Sequence, residues 1–182
     1  MAILTQDMAN FLEEWSSLGG PTARKYNLPV SVMLACASVE SNWGKGKIYA
    51  GSLNPFSLQK WPHTPKPSAY KTYWSETVVQ TDPKVVRKAP FACAMSREDA
   101  VRQWCEWILY YGEADGPPGN QNPKATRQAN KAAIERRVKL LALRNNPEEF
   151  AGHLYWVGFG EEKYKDLYKQ RLKDYSMRKF DA

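Results

Sequence analysis

The 182-residue sequence is poor in the features that announce several common functions. It has two histidines, His63 and His153, far apart and without ligand-spaced partners, so no metal site is expected. Its three cysteines, Cys36, Cys93 and Cys105, are an odd number that leaves room for at most one bridge and does not describe a disulfide framework. Cys36 and Cys105 lie among apolar residues, where buried free thiols are ordinary. No stretch approaches ~20 apolar residues, so no membrane span is expected. The opening MAILTQDMANF has neither a basic segment nor an apolar one, so no secretory signal is expected either. Nor is there an internal repeat, a low-complexity tract or a run of four basic residues. Scattered Lys and Arg weaken a nucleic-acid reading. No cofactor motif is present.

What the chain does have is charge and rings. The formal net charge is +7, which favours polyanions in general: nucleic acid, anionic membrane or an anionic cell-wall polymer. Hydrophobic residues make up 43% and aromatics 13%, enough for a proper core and for a sugar-binding cleft, whose flat rings stack on pyranose faces.

Thr5 is placed to cap a first helix carrying Met8, Phe11, Leu12, Trp15 and Leu18, with Gly19 and Gly20 ending it. Pro29 suits the first turn of a second helix, whose apolar face is Val30, Met33, Leu34 and Ala37; Gly44 and Gly46 break the chain beyond it. Prolines 62, 65 and 67 exclude a helix, and YKTYWSETVVQ and KVVRKAPF predict two strands around an Asp82-Pro83 turn. Ser96 and Asp99 announce a helix with Val101, Trp104, Cys105, Ile108 and Leu109 inward. GEADGPPGNQNP over 112–123 is a loop, followed by a basic helix to about residue 143. Asn146, Pro147 and Glu149 start another helix, and a last one carries Tyr164, Leu167, Tyr168, Leu172 and Tyr175. The expected fold is mainly α (α+β): one helical domain over 1–182 with a small β-hairpin lobe at 59–90.

Glu40 is out of pattern. It lies three residues after Ala37 and seven after Met33, on or beside the apolar face. A carboxyl there loses solvation, its pKa rises, and it becomes a general acid usable near neutral pH. The plainer alternative is a glutamate pairing at a helix end. Glu76, on the first strand, offers a second carboxylate of the kind glycosidases set across a scissile bond, or else an exposed strand residue. Trp43, Phe56, Trp61 and Trp74 are candidate sugar platforms, and equally candidate core rings.

Around these residues the chain resembles the glucosaminidase family of peptidoglycan hydrolases, which have a lysozyme-like fold. The resemblance rests on Glu40-Ser41-Asn42-Trp43-Gly44-Lys45 ending an apolar helix and on the turn Asn54-Pro55-Phe56-Ser57-Leu58. It continues through the hairpin Glu76 and through Phe91, Ser96, Glu98 and Arg102, in order across residues 30–110. Near the C-terminus GFGEEKY departs from the family pattern. Phe159 stands where a functional tyrosine is expected, Tyr164 matches a later tyrosine, and Tyr155 is an alternative hydroxyl.

The resemblance implies a cleft under the hairpin lobe and hydrolysis of the β-1,4 bond between N-acetylglucosamine and N-acetylmuramic acid. Glu40, Glu76, Tyr155 and Tyr164 would be catalytic; Ser41, Trp43, Asn54, Phe56, Trp61 and Trp74 would bind substrate. Among relatives, a chain without a visible secretory signal looks like a type VI secretion glycoside hydrolase effector, made in the cytoplasm, acting in the periplasm of a target bacterium and partnered by an immunity protein that occludes the cleft. A phage endolysin, a muramidase on the same fold and a non-catalytic glycan-binding domain are the alternatives.

Overall fold

The first helix, α1, spans Gln6–Lys25, and Thr5 caps it by accepting from the Met8 amide at 3.4 Å. It runs through Gly19 and Gly20, which the sequence suggested as its end, and through Pro21 beyond them. Packing overrides propensity there. A Cβ on Gly19 would lie 2.6 Å from Val101 Cγ2, so the glycine lets α1 approach the helix that carries Val101. That helix is α4, Arg97–Leu109, capped by Ser96 accepting from the Asp99 amide. The expected inward face of α1 holds for Phe11, Leu12 and Trp15, whereas Leu18 is 39% exposed.

The structure is a computed structural model that describes residues 3–58, 72–81, 84–112 and 130–182. Trp61, His63, the prolines 62, 65 and 67, the Asp82-Pro83 turn and most of the loop after residue 112 lie outside the described residues.

The centre is α2, Val30–Glu40, in which every residue from Val30 to Ser38 is buried. Periodicity suggests one apolar face; the helix is instead enclosed on all sides, which is what a helix apolar all round requires. Around it pack α1, the short α6 (Pro147–Gly152), α7 (Lys165–Asp174) and a final 3-10 turn at Met177–Phe180. Asp181 accepts from the Ser31 amide at 2.8 Å and from its hydroxyl, closing the N-terminal end of α2. A six-residue helix, α3 (Lys47–Ser52), follows the Gly44–Gly46 break and was not anticipated. The basic helix α5 spans Lys131–Ala142.

Strands β1 (Thr72–Thr81) and β2 (Lys84–Ala92) form one antiparallel sheet with Glu76 opposite Lys88 and Trp74 opposite Pro90. Its inner face holds Tyr73, Ala89 and Phe91; Tyr73 lies against Gly51 of α3. Trp74 and Glu76, two residues apart, share the opposite, exposed face. The fold is therefore mainly α with a two-stranded lobe, as expected. All three cysteines are free thiols, and no helix among the described residues is long and apolar enough to cross a membrane.

Candidate active site

Glu40 is the last residue of α2, and its position is locked from behind by an unusual turn. Asn42, Trp43 and Gly44 are all left-handed, with φ of 48°, 57° and 79°. The two non-glycine residues cost about 1–2 kcal/mol each. Burial of the Trp43 indole offsets this, since a ring hiding ~150 Å² is stabilised by about 4 kcal/mol. Trp43 is only 7% exposed, edge-on to Phe11 and Tyr175, with the Arg171 guanidinium 5.2 Å over its ring. Ser41 ties the turn together: its hydroxyl donates to the Ala37 carbonyl at 2.6 Å and accepts from the Gly44 amide at 2.8 Å. The Gly46 amide also donates to the Ser41 carbonyl, and a Cβ at Gly46 would lie 2.9 Å from that oxygen.

The glutamate itself is half-buried. Tyr168 of α7, only 1% exposed, donates its hydroxyl to Glu40 Oε1 at 2.5 Å. Burial holds the Glu40 pKa above the ordinary carboxylate range; the Tyr168 hydrogen bond opposes the rise, and the like charge of Glu161 adds to it. Burial also pushes the Tyr168 phenol far up, assisted by its negative neighbours, so it stays protonated and keeps the hydrogen it donates to Glu40. Gly160, at φ 67°, makes room: a Cβ there would lie 2.6 Å from the Tyr168 oxygen. The arrangement is a desolvated carboxyl with one oxygen held by a phenol, suited to keep its proton at a higher pH than an ordinary glutamate and then give it up.

The other sequence-derived residues fall into three groups. Ser41, Trp43, Asn54 and Phe56 are buried and build the site rather than line it. The ring of Phe56, 2% exposed, stacks on Trp104 at 5.5 Å and meets Trp15 edge-on, so like Trp43 it offers a sugar no free face. The Asn54 amide donates to the Leu58 and Ala92 carbonyls, both at 2.9 Å, and its oxygen accepts from the Phe56 and Leu58 amides. Trp74 (61% exposed) and Glu76 lie on the open face of the hairpin, on a different element from Glu40. Trp61 lies outside the described residues. Tyr155 and Tyr164 are half-buried: Tyr155 lies near His153 and Trp156, and the Tyr164 ring is 6.4 Å from that of Tyr168.

Phe159 is buried against Tyr168, ring centroids 6.2 Å apart, and has no hydroxyl to give. The hydroxyl that reaches Glu40 comes from Tyr168, which the sequence reading counted only as a core position of the last helix. Its spacing from Tyr164 and Leu172 is that of any inward helical residue, so nothing in the pattern sets it apart. Glu161, whose charge acts on Glu40 and which pairs with Lys163 at 2.8 Å, was likewise not singled out.

No family model matches the chain, and no curated protein matches it by sequence. Solved structures do share its fold. The catalytic domain of the autolysin Auto from Listeria monocytogenes matches over 100% of this chain and 91% of that one, with TM-score 0.65 and 19% identity. The glycoside hydrolase domain of FlgJ from Salmonella typhimurium, C-terminally truncated, matches over 94% and 95%, with TM-score 0.56 and 18% identity. A Staphylococcus aureus chain described as an N-acetylmuramoyl-L-alanine amidase matches over 98% of this chain but 44% of its own length, with TM-score 0.66 and 16% identity. The class defined here is one of architecture: the helical domain with a hairpin lobe found in peptidoglycan hydrolases.

Proposed function

We propose that the protein is a peptidoglycan glycoside hydrolase, an endo-β-N-acetylglucosaminidase that cleaves the β-1,4 bond between N-acetylglucosamine and N-acetylmuramic acid. The observation that carries the reading is Glu40: a half-buried carboxyl with a raised pKa, gripped by Tyr168 at the end of a fully enclosed helix. A structural glutamate at a helix end does not need that desolvation. Glu40 protonates the glycosidic oxygen as the bond to the anomeric carbon breaks. Glu76, on the exposed face of the hairpin, activates water or offsets the oxocarbenium-like charge as the lobe settles on the glycan. Trp74 beside it supplies a platform for a sugar ring. The fold shared with domains described as autolysin and glycoside hydrolase supports the substrate class.

Mass spectrometry of digested, borohydride-reduced peptidoglycan tests this directly. Reduced N-acetylglucosamine at the new ends is expected. Reduced N-acetylmuramic acid would make the protein a muramidase, freed stem peptides would point to an amidase, and an unaltered glycan would leave a binding domain.

We further propose an antibacterial effector role, with specialised export to a target periplasm and an immunity protein that covers Glu40. The basic charge of +7 suits both an anionic glycan and an inhibitor with an acidic loop. Periplasmic expression in a Gram-negative host should be toxic, cytoplasmic expression tolerated, and toxicity lost with Glu40→Gln. Harmless periplasmic expression of active protein would count against this role and leave a phage or housekeeping one.

A further inference from the structure

We propose that Tyr168 is a positioning residue that decides which oxygen of Glu40 delivers the proton: it occupies Oε1, so the transferable proton sits on Oε2. The inference rests on the reading of Glu40 as the acid and adds a residue and a direction to it.

The argument is one of valence. A protonated carboxyl carries one O–H, and the Tyr168 hydroxyl spends its single hydrogen on Oε1, which makes that oxygen the acceptor and leaves Oε2 to carry the carboxyl proton. The Tyr168 hydroxyl is 2.5 Å from Oε1, and both burial and negative neighbours keep it from ionising. A proton on Oε1 would face that phenolic hydrogen; on Oε2 it leaves Oε1 free to accept. In the transfer step the Oε2 proton goes to the glycosidic oxygen, which takes the electron pair of the breaking bond and leaves as a hydroxyl. Glu40 is left as a carboxylate. Oε1 is already hydrogen-bonded, so the new charge meets a donor that needs no reorganisation. Water then adds to the anomeric carbon and returns a proton to the site.

The phenol is itself fixed. Its ring is packed against Phe159, and its oxygen occupies the space that a side chain at Gly160 would fill. The titratable groups about Glu40 are Tyr168 of α7, Glu161 of the loop before it and the buried Cys36 thiol one turn back along α2, with Tyr164 of the 3-10 turn before α7 beside Tyr168. Of these, Tyr168 is the one within hydrogen-bond distance of the Glu40 carboxyl.

The test is Tyr168→Phe, which keeps the ring and removes the donor. The expected result is a cooperative melt lowered by a few degrees with parental far-UV dichroism, a fall of about tenfold or more in the plateau kcat on purified peptidoglycan, and little change in KM. The pH profile separates positioning from tuning. Without the phenol the Glu40 pKa rises further, so the alkaline limb should move up; a tyrosine that only tuned the pKa would then leave the plateau intact. Gly160→Ala is the second variant. It retains the hydroxyl but displaces it, and should lower kcat in the same way. An undiminished plateau in Tyr168→Phe, with Glu40→Gln inactive, overturns this proposal and leaves the glycosidase reading standing. If the parent protein proves inactive on glycan, NMR titration of the labelled Glu40 carboxyl still reads the contact: an unchanged Glu40 pKa in Tyr168→Phe refutes it.

Discussion

The Ser57 hydroxyl donates to the backbone carbonyl of Glu40 at 3.3 Å, joining the turn that precedes the hairpin to the end of α2. Ser57 is itself left-handed, with φ 49°, a conformation held by the Asn54 side chain at the centre of the turn. Because Asn54 also donates to Ala92 at the end of β2, one buried amide joins the base of the lobe to the segment touching Glu40. Asn54→Ala should cost about 2 kcal/mol by orphaning buried carbonyls and amides. That is about 4–8 °C in melting temperature for a chain of this size. Calorimetry checks it. A neutral substitution would mean that the lobe is held elsewhere.

Glu40→Gln should fold normally and lose more than ~10²-fold of its lytic activity, because the amide keeps the shape and accepts from Tyr168 but has no proton to give. The same substitution should stabilise the protein near pH 7. The sign follows from linkage. The folded pKa of Glu40 is raised, so the favourable protonated state is fully present below the unfolded pKa. Its contribution is lost as pH rises through the folded value. Gln does not titrate, so the gain in melting temperature over the parent should grow with pH above the ordinary glutamate range and vanish at about pH 4. Equal melting at both pH values would mean that the carboxyl is not desolvated.

Glu40 was legible in the sequence because its fault is periodic: a charge where the helical repeat calls for an apolar group. The two strands, the Ser96 cap and the Asn146-Pro147 start were legible for the same reason, each being set by local chemistry. What failed to show was anything decided by tertiary approach. Gly19 and Gly20 read as a stop, but Gly19 lets α1 approach α4 at Val101 and Gly20 lies beside Val30 of α2. Trp43 and Phe56 read as platforms, and only their burial separates them from Trp74. Tyr168 meets Glu40 across 128 residues, a distance over which no spacing rule operates.

Glu161 supplies a pH test independent of the acid itself. Its charge raises the Glu40 pKa, so Glu161→Gln should lower that pKa and move the alkaline limb of the activity profile to lower pH, leaving the acidic plateau unchanged. Among the described residues Glu161 is exposed and pairs with the exposed Lys163, a contact worth little, and relief of its repulsion on Glu40 acts in the stabilising direction, so melting near pH 7 should not fall. A pH profile identical to the parent's would show that the charge is screened by solvent.

Trp74 and Glu76 point from one exposed face of β1, two residues apart, with Pro90 and Lys88 opposite them on β2. Exposure separates their roles from stability, so both can be substituted without disturbing the core. Trp74→Ala removes a ring face worth about 1 kcal/mol or more to a stacked sugar. It should therefore raise KM several-fold with kcat little changed. Glu76→Gln keeps the shape of the face and removes its negative charge, which matters most when positive charge develops on the sugar. It should lower kcat more than KM. The pair of kinetic signatures is the informative result, because a hairpin that merely covers the glycan would give a KM effect at both positions. Full activity in Glu76→Gln would remove the hairpin carboxylate from the chemistry and leave Glu161, which already acts on Glu40, as the described carboxylate to test next.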